Sequence, residues 1–255
     1  MTAGPTTPPL LDVREVTVRF GVNTALSAVG LVVPAGEVVA LIGPNGAGKT
    51  TLFNVVTGQQ RPSGGRIRFD GRDISRLDTH HRARLGIGRT FQRLELFGDL
   101  TVRDNLQVAG EIRNRWRTFG LGGGRIDVRA RVDHVVEQLA LGPVADLSAG
   151  AVPTGTARLV ELGRALMAGP RLLLLDEPAS GQTEAETEAF GHLLRRLAHD
   201  EGTTVLLVEH DMELVMGVCD RVHVLDFGEV IAHGTPDEVR ADERVLDAYL
   251  GAPGA

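Results

Sequence analysis

The sequence predicts an α/β fold with a mostly parallel sheet core, an antiparallel β layer ahead of it and a helical subdomain inserted into it. Three observations carry that prediction. The strand-sized apolar run Val38 to Ile42 leads through a Gly-rich segment into helical spacing that starts near Lys49. Between about Arg93 and Met167 the apolar residues recur at helical spacing. From Arg171 onward, short apolar runs alternate with amphipathic stretches, the pattern of a parallel sheet with helices packed on it.

In chain order, residues 1–10 combine Pro and Thr and lack the basic start and apolar run of a secretory signal. They read as a disordered tail, and 11–255 as one domain of a protein that stays in the cytoplasm. Alternating apolar residues predict short strands through Leu11, Val13, Val16, Val18 and Phe20 and again from Leu31 to Val33. Glu37 to Ile42 reads as a buried strand, and Ile67 and Phe69 mark another that ends at Asp70-Gly71. The helical subdomain spans 93–167. Within it Arg113 to Arg125, with four Arg, Trp116 and Gly122-Gly123-Gly124, reads as a mobile surface connection. Beyond it come strand Leu172 to Leu175, helix Glu184 to Ala198, strand Thr204 to Val208, helix Met212 to Val218, and strands Arg221 to Leu225 and Val230 to Ala232. Thr235-Pro236-Asp237-Glu238 has the spacing of a capping box and opens a closing helix within a C-terminal end at 234–255.

Composition removes several classes of function. The net charge is -6 with no basic block, so nucleic acid is not an expected partner. No apolar run approaches the ~20 residues of a membrane span, so membrane association has to come through another protein. Cys219 is the only cysteine, which excludes an internal disulfide and a cysteine-cluster metal site and leaves a buried thiol. Lysine usage is the informative deviation: of 27 Lys and Arg, the single Lys is Lys49. A compact ammonium is kept where a planar guanidinium would not fit.

That lysine lies in Gly43-Pro44-Asn45-Gly46-Ala47-Gly48-Lys49-Thr50-Thr51, which fills every fixed position of a phosphate-binding loop between a strand and a helix. Glycines let backbone N–H groups turn inward on phosphates, and the helix N-terminus adds positive potential. Lys49 is expected on the β- and γ-phosphates and Thr50 on Mg²⁺. A second signal is Leu172-Leu173-Leu174-Leu175-Asp176-Glu177-Pro178, an apolar strand that carries two carboxylates to the sheet's carboxyl edge, where ligands of open α/β sheets bind. Asp176 then holds the metal directly or through water, and Glu177 orients and deprotonates the attacking water. Together the two motifs point to hydrolysis of a nucleotide held with Mg²⁺.

With those residues in place, the chain from about Leu11 onward resembles the ABC ATPases, which are P-loop NTPases. The resemblance implies further roles. Arg89-Thr90-Phe91-Gln92 looks like the glutamine loop, with Gln92 on Mg²⁺ and the attacking water and linked to the membrane subunit. Val208-Glu209-His210-Asp211 looks like the switch-histidine segment, with His210 bonding the γ-phosphate, and Phe20 sits where an aromatic stacks on adenine. Leu96-Phe97, Leu100-Thr101-Val102, Met212 to Met216, Gly234-Thr235-Pro236 and Ala248-Tyr249-Leu250-Gly251 are similar to ATPases of branched-chain amino-acid uptake. Systems for amides and urea, and some for lipopolysaccharide export, share much of this. The implied partners are transmembrane permease subunits, a second ATPase subunit and an extracytoplasmic solute-binding protein, with the chain at the cytoplasmic face of the membrane.

The sequence departs from the family at two places. Where L-S-G-G-Q is expected, the chain has Val152-Pro153-Thr154-Gly155-Thr156, and Pro153 supplies neither hydroxyl nor N–H. Some branched-chain ATPases look like L-P-Y-G-Q here. Gly181-Gln182-Thr183 replaces the expected Leu-Asp or Leu-Asn after the glycine. Both changes fall on surfaces that complete a partner's site in the family. Three readings stay open: an importer ATPase, a soluble ABC protein acting on ribosomes or in cluster assembly, and a nucleotide-gated scaffold without turnover.

Overall fold

A computed structural model describes residues 8–90, 95–118 and 125–250. The chain opens with β1 (Leu11–Phe20) and β2 (Asn23–Val33), an antiparallel hairpin closed at Phe20 and Asn23. The second strand was expected only from Leu31. It begins eight residues earlier, because pairing with β1 holds a stretch whose own alternation is weak. β3 (Val38–Ile42) leads into α1 (Lys49–Thr57), followed by β4 (Gly64–Phe69), β5 (Arg72–Asp73), α2 (Thr79–Leu85) and β6 (Ile87–Arg89). β4 pairs with β1, giving an antiparallel sheet of order β2-β1-β4-β5.

Three helices follow, α3 (Val102–Thr118), α4 (Val128–Gln138) and α5 (Thr154–Met167), packed through Leu106, Val135, Leu139 and Val160. Here the expected surface connection needs correcting. Residues 113–118 continue α3, where Arg113 donates to the Met167 carbonyl and Asn114 exchanges hydrogen bonds with the backbone of Ile126. The Gly triplet lies outside the described residues.

The chain then returns to the sheet with β7 (Leu172–Asp176), α6 (Glu184–Arg195) continued by a π-helical turn Arg196–Asp200, β8 (Thr204–Val208), α7 (Met212–Val218), β9 (Arg221–Asp226) and β10 (Glu229–Gly234). The closing helix is two helices, α8 (Pro236–Arg240), opened by the expected capping box, and α9 (Glu243–Leu250). The six-stranded sheet has the order β10-β9-β3-β8-β7-β6. Every pairing in it is parallel except that of β9 with β10.

β3, β7 and β8 are buried on both faces, so apart from Asp176 at the end of β7 and Thr204 at the start of β8 their sequences are apolar runs and not alternating ones. Val38, Ala40, Leu173, Leu175, Val205 and Leu207 face the helical side. Val39, Leu41, Leu172, Leu174, Leu206 and Val208 face α1 and the antiparallel layer. Cys219 is buried as expected, its thiol pushed up to about 12 by burial. Among the described residues no helix is long and apolar enough to cross a membrane.

Candidate nucleotide site

The register of the parallel strands assembles the site. Leu41 of β3 is level with Val208 of β8, which is level with Asp176 of β7. The residues that follow each strand therefore emerge at one edge: Gly43 and the loop, Glu177, and Glu209 with His210. At Gly43, with φ 147°, a Cβ would collide with the Leu225 carbonyl oxygen. Only glycine lets the loop turn so close to β9. Gly48, with φ 109°, is the N-cap of α1 and supplies no side-chain cap, which leaves the first N–H groups of the helix to a ligand. Lys49 Nζ donates to the carbonyls of Gly43 (2.6 Å) and Pro44 (2.9 Å) across the loop. Burial lowers the Lys49 pKa, while Glu177 and then Asp176 pull it back up, so the ammonium shares its surroundings with both acids. Asn45, Gly46 and Thr50 are exposed on the rim, Ala47 is buried, and Thr51 is half-buried.

Asp176 is 3% exposed, and its two oxygens differ. Oδ2 accepts from Arg89 Nη2 at 2.9 Å, whereas Oδ1 is buried with no hydrogen-bond partner among the described residues. A buried, unsatisfied, hard anionic oxygen fits a divalent cation such as Mg²⁺. Glu177 is half-buried and has φ 50°, a conformation uncommon for a residue with a side chain. It is held there by its N–H donating to the Val208 carbonyl (2.8 Å) and by the turn in which Ser180 N–H donates to its own carbonyl.

A model of the ABC transporter family matches residues 26–180, and one described as branched-chain amino acid ATP-binding cassette transporter matches 229–255. The chain belongs to the ABC transporter ATPases. It is 40% identical over 250 residues, covering 95% of this chain and 98% of the other, to the high-affinity branched-chain amino acid transport ATP-binding protein BraF of Pseudomonas aeruginosa. It is 38% identical, with the same coverage, to LivG of Escherichia coli K12, which carries the same description. In fold it is similar to the ADP conformation of MJ1267, an ATP-binding cassette of an ABC transporter, at a TM-score of 0.84 and 31% identity, covering 96% of this chain and 100% of the other.

In this ATPase the other expected site residues are placed as follows. Phe20 ends β1 and is 51% exposed. His210 is exposed two residues after β8, ahead of Asp211, whose carboxylate caps α7 by accepting from Glu213 and Leu214 N–H. Gln92 lies outside the described residues. The altered signature segment opens α5 with Pro153 as an N-cap that has no side-chain bond, and Pro153 and Thr154 are exposed. Thr183 has a local role, capping α6 in a reciprocal box with Glu186.

Two residues here carry more than their motifs announced. Glu209 is 1% exposed and accepts from the backbone N–H of Ala179 (2.9 Å) and His210 (3.1 Å), tying the turn after Glu177 to the histidine; burial raises its pKa. Arg89 is the partner of Asp176. Both were quoted inside motifs, but no local pattern shows a side chain's distant partner.

Proposed function

We propose that this chain powers an importer of branched-chain amino acids or a related small polar solute, binding MgATP at the strand edge and hydrolysing it there. The observation that carries the solute class is the similarity to BraF over nearly the whole chain, together with the branched-chain match at 229–255. Lipopolysaccharide export is the less favoured reading, since neither of those matches points to it.

In this reading the amides of Gly43 to Thr51 and the Lys49 ammonium take the β- and γ-phosphates, and Phe20 stacks on adenine. Thr50, Asp176 and Gln92 would hold Mg²⁺, which when bound neutralises phosphate charge and fixes the phosphate's orientation. Glu177 orients a water and accepts its proton, and His210 and Gln92 bond the γ-phosphate and the water. The support is the common sheet edge, the buried Asp176 Oδ1 with no hydrogen-bond partner among the described residues, and the Lys49 ammonium within reach of the charges of Glu177 and Asp176. Segment 93–167 serves as a helical subdomain, and 234–255 as a C-terminal helical end. The chain works at the cytoplasmic membrane face against permease subunits, paired with a second ATPase subunit and served by an extracytoplasmic binding protein.

The test is reconstitution with those subunits in vesicles, following phosphate release and solute uptake together. Leucine, isoleucine or valine with the binding protein should stimulate hydrolysis and accumulate. Stimulation by urea or amides alone would move the solute class, and ATP-independent uptake would end the reading.

A further inference from the structure

Arg89 closes β6, three residues ahead of Gln92, and among the described residues its guanidinium reaches α1, the turn just beyond it and the end of β7. Nη1 donates to Asn54 Oδ1 on α1 at 2.6 Å and to Gln59 Oε1 just beyond that helix at 3.1 Å. Nη2 donates to Asp176 Oδ2 at the end of β7 at 2.9 Å. The cation also stands 5.7 Å from the centroid of Phe53 on α1. The Arg89 and Asp176 side chains are 10% and 3% exposed, so this is a buried ion pair, which needs good geometry and further hydrogen bonds to offset desolvation. Asn54 and Gln59 supply those bonds. They also tether the guanidinium to the helix that starts with Lys49 and Thr50.

The asymmetry of Asp176 is the informative part. A free carboxylate could rotate or offer both oxygens to Arg89 in a two-point pair, the stronger arrangement. Here Nη1 is committed to α1, the pair is single, and Oδ1 stays buried with no partner among the described residues. We propose that Arg89 is a positioning residue that grips Asp176 by Oδ2 from α1 and so presents Oδ1, in fixed orientation, to the magnesium ion of MgATP. This rests on the reading that Asp176 holds the metal. Outer partners that bond the far side of a ligating carboxylate set its direction, and losing one costs about 10–100-fold in metal affinity or activity. Since the guanidinium is already tied to α1 and uses only one carboxylate oxygen, it keeps its place when a cation takes the other. Phosphate contacts made by the loop do not pass through Arg89, so ATP without metal should not sense it.

The experiment uses the full chain and the non-hydrolysable analogue AMP-PNP. Affinity is measured by calorimetry in EDTA and in saturating Mg²⁺, and the Mg²⁺ needed for half-maximal tightening is titrated at fixed AMP-PNP. Arg89→Met should raise that concentration by about 10–100-fold and leave the EDTA affinity unchanged. Arg89→Lys, which keeps the charge without the fork, should recover part of the loss. Arg89→Met/Asp176→Asn, which leaves no unpaired buried charge, should match Asp176→Asn alone in both measurements. That comparison decides the matter if Arg89→Met does not fold. Equal weakening of Arg89→Met in EDTA and in Mg²⁺ would make Arg89 merely structural and overturn the proposal. Tighter Mg²⁺ binding would show competition instead of positioning, with the same result. An unchanged Mg²⁺ requirement in Asp176→Asn would remove the metal assignment itself, an outcome distinct from failure of Arg89 alone.

Discussion

At the scale of single residues, Glu177, the general base of the proposed function, stands on a strained backbone. Its φ of 50° places a side-chain-bearing residue in the left-handed region, at a cost of about 1–3 kcal/mol. The neighbouring strand holds it there through the Val208 carbonyl. Its carboxylate lies close enough to Lys49 for its charge to raise the lysine's proton affinity, against the lowering by burial. Glu177→Gln keeps size and shape, but it replaces one acceptor oxygen with a donating amide NH2 and removes the charge, so no base is left. ATP binding should persist while turnover falls by about 10²–10⁴, the usual loss for one general base. Single-turnover and steady-state phosphate release check this, and native turnover in the variant would remove Glu177 from the chemistry.

At the scale of elements, buried polar side chains tie secondary structures to one another. Arg82 of α2 is 1% exposed and donates to the carbonyls of Val55 (2.6 Å) and Val56 (2.8 Å), closing the last turn of α1. Burial brings its pKa down to about 10. His223 of β9 plays a similar part between the two sheets, its Nε2–H donating to the Val32 carbonyl of β2 at 3.3 Å. Burial lowers its pKa from 6.5 to about 4, with the nearby charges of His233 and Arg221 adding to the effect. The unfolded chain takes up this proton below pH 6.5, and the folded chain only near pH 4. The contribution of His223 to stability is therefore complete above 6.5 and is lost as pH falls from there towards about 4. The full loss is on the order of 3 kcal/mol. Urea unfolding at pH 7 and pH 4.5 should show a smaller acid loss for His223→Leu than for the native chain. Parallel losses in both proteins would show that His223 is not the group responsible.

On the scale of the whole molecule, the strand edge with Lys49, Glu177 and His210 is open, and the altered signature lies at the exposed start of α5. Pro153 supplies neither N–H nor hydroxyl there, which leaves the amides and hydroxyls of Thr154, Gly155 and Thr156 as the donors this chain would present to a partner's nucleotide. We infer an unequal pair, in which a second ATPase with a full signature completes the site on Lys49. Removing one well-placed donor costs roughly 3–4 kcal/mol in the transition state, so the two sites should differ widely in turnover. In the reconstituted complex Lys49→Ala should nearly stop transport, whereas the matching change in the second ATPase should leave measurable activity. Identical losses, or full transport with no second ATPase chain, would sink the inequality and make the pair symmetric.

Local order was legible from the sequence because it is written at short range. The phosphate loop, the apolar strand ending in Asp176 and Glu177, and the capping box at Thr235 each need only residues within a few positions of one another. Buried strands also announce themselves, since parallel strands covered on both faces must be apolar throughout. The Lys49 exception was visible in composition alone. Tertiary structure decided what depends on pairing across distance. β2 extends back to Asn23 only because β1 is there to pair with it. The two-residue β5, the three-residue β6 and the seven-residue α2 carry too little pattern to be read, and α2 is held through Arg82, 27 residues from the Val55 carbonyl. Arg89 meets Asp176 across 87 residues, and His223 meets Val32 across 191. A charged side chain is the same letter whether water or a buried carboxylate is its partner. Folding brings that partner close and lowers the surrounding dielectric, which is why the charge of Arg89 acquires its place in the site only in the folded molecule.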